Sequence, residues 1–223
     1  RRQILVIFSG LMAGMSLASL DGTAVNTALA TMVADLGGLS AYAWIGTSYL
    51  LTSTVANALF GKLSDIYGRK RLFQVAIITF LIGSVGCGIA QSMLTLIVSR
   101  GVQGIGGGGL MAIAFVIIGD VVPPRERGRY VGLITSVFAV GSVVGPLMGG
   151  FFVEQLNWRW IFFINVPFGI LTVLMALAFL PPDAPRLAGS APAPALATAP
   201  PVSGSEVHAT ISLPPFAPIS YRL

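Results

Sequence analysis

Between Asp35 and Lys62 the chain carries no charged side chain. The same holds between Arg71 and Arg100, between Arg129 and Glu154, and between Arg159 and Asp183. Runs of this length restrict the possible folds sharply. A soluble domain of 223 residues could not keep them all from water, and only 9% of the chain is charged against about 25% in soluble domains. In hydrocarbon every backbone N–H and C=O must be satisfied within the segment, so a run of roughly 20 apolar residues crosses as a helix. The 27 glycines fit helices packed closely in a bilayer. The lipid bilayer is therefore the first partner. The formal charge of +5 sits largely in two short loops between apolar runs. That placement speaks for membrane orientation and against nucleic acid.

Six stretches have the required length: Ile4–Ala30, Ala41–Phe60, Leu72–Gln91, Leu94–Gly119, Tyr130–Val153 and Trp160–Leu180. The first is too long for the apolar core of a signal peptide, and Asp21 interrupts it. The loop after the second span holds Lys62, Arg69, Lys70 and Arg71, and the loop after the fourth holds Arg125, Arg127 and Arg129. The opposite loops carry only Asp35, Glu154 and Arg159. The positive-inside rule then places both basic loops and both ends of the chain in the cytoplasm; the multi-pass chain is expected in the plasma (inner) membrane. Trp158 and Trp160 are expected as anchors at the membrane edge. Two domains follow: a helical membrane domain over residues 1–180, and a Pro/Ala-rich tail over 181–223. The tail holds ten of the 14 prolines, is expected to be disordered, and includes His208 as a solvated residue. Cys87 is the single cysteine, so there is no internal disulfide and no metal site is implied.

The segment from Gly61 to Arg71, "GKLSDIYGRKR", is more than a topogenic loop. Gly61 and Gly68 permit a tight turn, and Asp65 can cap or pair locally. The pattern Gly61-x-Leu63-x-Asp65-x-x-Gly68-Arg69-Lys70 resembles the signature loop between spans two and three of the major facilitator superfamily. Three further stretches follow in that family's order. "RGVQGIGGGG" (Arg100–Gly109) is similar to its span-four arginine motif, and "GSVVGPLMGG" (Gly141–Gly150) to its span-five antiporter motif. "LDGTAVNTAL" (Leu20–Leu29) is close to the first-span motif of the fourteen-span drug:proton antiporters. The resemblance implies an all-α membrane fold: six transmembrane helices in two inverted three-helix repeats, forming the N-terminal half of a transporter. It also implies that the loop acts as a conformational latch through Gly61, Asp65, Gly68, Arg69 and Lys70.

Asp21 and Arg100 are intramembrane charges. At 1.5 Å per residue they lie ~13 Å and ~9 Å below the outer ends of spans one and four. A charge pair is geometrically possible, either as a static tie between helices or as a proton-responsive couple. Gln103 lies one turn from Arg100, whose planar fork could hold Asp21 and Gln103 together. Thr23, Asn26 and Thr27 share another face of span one, suited to cross-helix hydrogen bonds or to cavity lining. Asp21, Arg100, Gln103 and Asn26 form the candidate proton-coupling and cavity set. Gly141, Gly145 and Gly149 recur every four residues, so a neighbouring helix can approach closely, and Pro146 should kink span five. With Gly150 they make up the antiporter-like motif. "GIGGGG" lacks the Gly-Lys-Ser/Thr of a phosphate loop. No catalytic residue, metal site or cofactor is read. The chain is not an enzyme, and transport would run on a proton gradient.

The expected function is therefore the N-terminal half of a proton-coupled efflux antiporter for small amphipathic or cationic molecules. A missing second half or another subunit would complete it and would hold the latch partners of Asp65 and Arg69. Alone, the half is expected to turn Asp21, Arg100 and Gln103 towards lipid. The change of composition after Leu180 is expected from a frameshift or a truncated reading frame. Two alternatives stand beside this one: a non-transporting half-bundle, inert or partner-binding, and a metabolite carrier of the same superfamily.

Overall fold

The structure is a computed structural model that describes residues 2–123 and 125–179. Residues 181–223, expected to be disordered, lie outside the described residues. The elements are α1 (Arg2–Leu36), a short 3-10 turn (Leu39–Ala41), α2 (Tyr42–Tyr67), α3 (Arg69–Gly88), α4 (Met93–Val121), α5 (Arg127–Gln155), α6 (Trp160–Phe163) and α7 (Asn165–Phe179). The six expected spans are present, with the sixth built from α6 and α7. Pro167 withholds the N–H that the carbonyl of Phe163 would accept, and the helix breaks at Ile164, in the turn before it. By contrast α5 runs as one helix through Pro146.

Glycine placement explains the tight connections. α1 stops where Gly37 and Gly38 take φ of 70° and 80°, a left-handed conformation that costs glycine little. The link from α2 to α3 is the single residue Gly68, at φ 92°. Gly61 is not part of a turn, contrary to the expectation above. It lies inside α2, where an added Cβ would meet nothing within 4 Å. Gly68 alone supplies the reversal. At the start of α4, the Ser92 Oγ accepts from the Thr95 N–H at 3.2 Å as an N-cap. Cations close two helix C-termini: Arg127 donates to the Gly119 carbonyl at 2.6 Å, and Lys70 donates to the Leu177 carbonyl at 3.0 Å.

α4 is wedged between α2 and α3, while α1 packs on α5 and α7. The glycine run of α4 makes this wedge possible. A Cβ at Gly104 or Gly108 would strike the α2 backbone, and one at Gly106 would strike the α3 backbone. Among the described residues four stretches are long and apolar enough to cross a membrane: Arg69–Gly88, Met93–Asp120, Arg127–Gln155 and Trp160–Ala178. α1 and α2 have the length, at 35 and 26 residues, but α2 carries Thr47, Ser48, Thr52, Ser53, Thr54 and Asn57, which lower its hydropathy. Large apolar side chains such as Leu51, Ile82, Val98 and Leu174 are exposed on the outside of the bundle, as lipid contact requires. Inside, one apolar cluster gathers Met15, Phe73, Phe80 and Leu110 towards the end with the basic loops. A second gathers Val25, Ile45, Leu96 and Phe162 towards the other end.

At that second end, Trp158 corrects an expectation. It is 2% exposed and donates its indole N–H to Asp35 at 3.0 Å, so it is a structural clamp and no interfacial anchor. Of the two, Trp160, 51% exposed, keeps a position suited to the membrane edge. Arg159 stacks on the Trp158 ring, donates to Asp35 at 2.9 Å, and donates to the Ala90 carbonyl at 3.0 Å. The clamp thus ties the end of α1 to the ends of α3 and α5. The Trp158 indole first, and then Arg159, hold the Asp35 carboxyl below its ordinary value. A carboxylate whose pKa is lowered by folding stabilises the fold above its unfolded pKa and loses that contribution on acidification. Melting temperature in detergent should therefore fall as the pH drops below about 4. Asp35→Asn should remove part of that fall, and an identical pH profile in the mutant would refute the clamp's role.

Candidate functional site

Between the two apolar clusters lies a buried polar layer. α1 contributes Asp21, α3 Ser84, α4 Arg100 and Gln103, and α7 Asn165, all at most 3% exposed. The Arg100 Nη1 donates to Asp21 Oδ2 at 2.7 Å and to Gln103 Oε1 at 2.7 Å. The Gln103 amide donates to Asp21 Oδ1 at 2.8 Å and approaches the Ser84 hydroxyl at 3.3 Å. The Asn165 amide donates to the same Asp21 oxygen at 2.6 Å and to Ser84 at 2.9 Å. Ser84 in turn donates to the Phe162 carbonyl at 2.9 Å, close to the break between α6 and α7. One carboxylate thus receives donors from two other helices, and the buried charge is both paired and hydrogen-bonded.

Local sequence explains the geometry. Asp21 and Arg100 occupy inward positions at matched depth, as their helical rise indicated. Gly83 lets α3 and α4 meet closely, because a Cβ there would collide with the backbone of Gln103. Three expectations need correction. Arg100 does not use its planar fork to hold Asp21 and Gln103, since both bonds leave Nη1. Its Nε is buried and has no hydrogen-bond partner among the described residues. The pair does not face lipid, because the half encloses Asp21, Arg100 and Gln103 by itself. Asn26, grouped with them above, is exposed and stands outside the network. Sequence reading missed Ser84 and Asn165. The signal available for Asn165 was an amide within an apolar span, two residues before Pro167.

Two cavities flank this layer. One, of about 540 Å³, is lined by Ser19 and Thr23 of α1, Tyr49 and Asn57 of α2, Gly108 of α4 and Ser142 of α5. Of the polar side chains of α2, Ser53, Thr54 and Asn57 line this cavity. The other, of about 280 Å³, lies between α1, α5 and α7; it is largely apolar and reaches Asp21 and Asn165. Thr23 lines the first cavity and also donates across to the Gly141 carbonyl of α5 at 2.9 Å. Gly141, Gly145 and Gly149 face α1, where a Cβ would strike Ser19, Thr23 and Ala24 respectively. Gly150 does not share this role, since a Cβ there meets nothing within 4 Å.

In the basic loop, Arg69 bonds Asp65 at 2.9 Å and also pairs with Asp120 at the end of α4. It reaches Ser64 at 3.3 Å as well. Asp120 thus gives Arg69 a partner within this bundle, one that sequence reading missed. Asp120 was missed because it sits at a span's end, where an acidic residue looks like ordinary loop chemistry. Among the described residues no group of three or more His, Cys, Asp or Glu is gathered for a metal.

A family sequence profile matches most of the chain. That profile, described as Major Facilitator Superfamily, matches residues 11–220. The chain belongs to the major facilitator superfamily. Among superfamily members, Multidrug resistance protein 3 of Bacillus subtilis is 46% identical over 170 residues, covering 76% of this chain and 33% of that protein. Multidrug transporter protein MdtP of the same organism is 43% identical over 169 residues, covering 76% and 31%. The chain therefore spans about a third of the length of the curated relatives it matches. In fold it is similar to the xylose transporter XylE of E. coli in a partially occluded inward-open conformation. The TM-score is 0.74 at 18% identity, over 83% of this chain and 50% of that one. A bacterial homologue of the human lysosomal transporter Spinster gives 0.72 at 21% identity, over 83% and 46%. The membrane, all-helical, six-span expectation is that of the superfamily.

Proposed function

We propose that this chain forms the N-terminal six-helix half of a proton-coupled antiporter that exports small amphipathic or cationic molecules. The observation that carries this reading is the buried Asp21–Arg100 pair, linked by hydrogen bonds to α3 and α7 and lying beside two cavities. A proton taken up by Asp21 removes the counter-charge of Arg100 and one of the acceptors shared by Gln103 and Asn165. The ties between α1, α4 and α7 then loosen together, which is how a local charge change can bias a bundle between two packings. The proton gradient is the energy source, and no cofactor is needed. Names of the relatives support the substrate class: two are multidrug proteins. The site lies in the plasma membrane, with both basic loops and both ends of the chain cytoplasmic, as the positive-inside rule favours.

The substrate path needs a second bundle to rock against this one. A second half or another subunit supplies it. The alternative, a half-bundle that folds but does not transport, gains from the same observation: with its charges paired internally, the half needs no partner to shield them. A single experiment addresses both. The chain is reconstituted in liposomes alone and together with the remaining C-terminal part of Multidrug resistance protein 3. A proton gradient is imposed and a fluorescent cationic dye is followed. Dye movement should require both parts and the gradient, and Asp21→Asn should abolish the gradient dependence. Movement by the chain alone would show that the second bundle is unnecessary. Gradient-independent movement by the combined parts would remove the proton-coupled reading.

A further inference from the structure

The cavity lined by α1, α2, α4 and α5 does not reach Arg100, although Arg100 lies on α4 beside it. What lies between them is Tyr49 of α2. Its ring stands 4.4 Å from the Arg100 guanidinium carbon, in stacking contact, and the residue itself lines the cavity. Two glycines of α4 make room for it: a Cβ on Gly104 would strike the Tyr49 backbone, and one on Gly107 would strike its hydroxyl oxygen. The tyrosine is thus seated by α4 and rests on the face of the guanidinium. Behind the ring, Arg100 is 2% exposed and its Nε lacks a partner. A buried donor without a partner is unusual in a resting structure. It is understandable if the group meets an acceptor only after its cover moves.

We propose that Tyr49 is a positioning residue whose ring closes the Arg100 guanidinium off from the cavity and opens it when α2 shifts on the glycine face of α4. An aromatic face suits this task. It holds a cation by its quadrupole without neutralising it, so the guanidinium keeps its charge for Asp21 while covered. When the ring leaves, the Nε donor and the guanidinium face become available to a carbonyl, carboxylate or water in the cavity. The cover stands on geometry alone. The proton role of the pair belongs to the preceding section and can fail separately.

The test reads access directly and needs no transport. The purified chain in detergent is treated with phenylglyoxal, a neutral reagent for guanidinium groups, and modification of Arg100 is followed by mass spectrometry. Cys87, the single cysteine and fully buried, reports global opening through its reactivity with a maleimide. In the unsubstituted chain and in Tyr49→Phe, which keeps the ring, Arg100 should stay protected. In Tyr49→Ala its modification should rise several-fold while Cys87 remains protected. Tyr49→Leu, which keeps most of the volume but no aromatic face, should give an intermediate rate. The proposal is overturned if Arg100 stays protected in Tyr49→Ala, or if Tyr49→Phe exposes it as much as Tyr49→Ala does. It is also overturned if Arg100 and Cys87 become reactive together in both Tyr49→Ala and Tyr49→Leu, because the residue would then merely hold the bundle together.

Discussion

Arg100→Ala is expected to abolish gradient-driven dye movement in the combined system and to destabilise the helical bundle by about 3–5 kcal/mol, the range for breaking a buried pair by removing one partner. The reason is what remains behind. Asp21 stays 1% exposed with its negative charge, holding Gln103 and Asn165 but facing no cation. If the cost comes from that stranded charge, adding Asp21→Asn to Arg100→Ala should recover part of the lost stability, whereas transport should stay absent. Arg100→Lys separates the two roles further. Because both hydrogen bonds leave Nη1 alone, an ammonium can replace the ion pair in part, so the loss of stability should be smaller than for alanine. The flat contact with Tyr49 is lost, and transport should remain strongly reduced. Thermal unfolding in detergent and dye movement in liposomes are the two measurements. Wild-type transport by Arg100→Ala would end the functional assignment. A double mutant less stable than Arg100→Ala would end the account based on a stranded charge.

Much of this site was legible because intramembrane charges are rare and costly. Asp21 and Arg100 announce themselves by interrupting apolar spans, and helical rise alone puts them at similar depth. Gln103 follows from its spacing to Arg100. What could not be read is which ordinary polar residues turn inward. Ser84 is one serine among several in apolar spans, and Asn165 is an amide within the sixth span whose direction is set only by the break before Pro167. Tyr49 carries no mark in the sequence, and only the packing of α2 on α4 places its ring over a guanidinium. The failures share one cause. Sequence position marks depth along a helix well, but it does not fix which neighbour faces a residue. Asn26, one and a half turns from Asp21, points outward. Trp158 reads as an anchor because its partner, Asp35, lies far off in the chain. Gly61 and Gly68 look equivalent in the loop, yet only Gly68 adopts the positive φ that needs glycine.

The second large effect should come from a residue with no polar chemistry at all. Gly106→Val is expected to prevent assembly of the α3–α4 pair. A Cβ at this position would overlap the backbone of Phe80 and Ala76 on α3, and backbone atoms in a helix cannot swing aside as a side chain can. The two helices must separate, and in lipid their association rests on close packing of small residues rather than on a hydrophobic force between them. The penalty should therefore lie at or beyond the upper end of the ~1–3 kcal/mol typical of overpacking. The damage also reaches the site, because Gly106 lies one turn from Gln103. Moving α4 from α3 there pulls Gln103 away from Ser84 and loosens the donors around Asp21. Gly108→Val should behave alike through its clash with the Ser53 carbonyl of α2. Gly132→Val is the control, since a Cβ there meets nothing within 4 Å; it carries the same β-branched cost to helix propensity without the clash. The fraction of purified protein running as a single species on size exclusion, and its melting temperature, should fall steeply for the first two and little for the third. Equal behaviour of all three would mean that the glycine seam of α4 does not hold the bundle together.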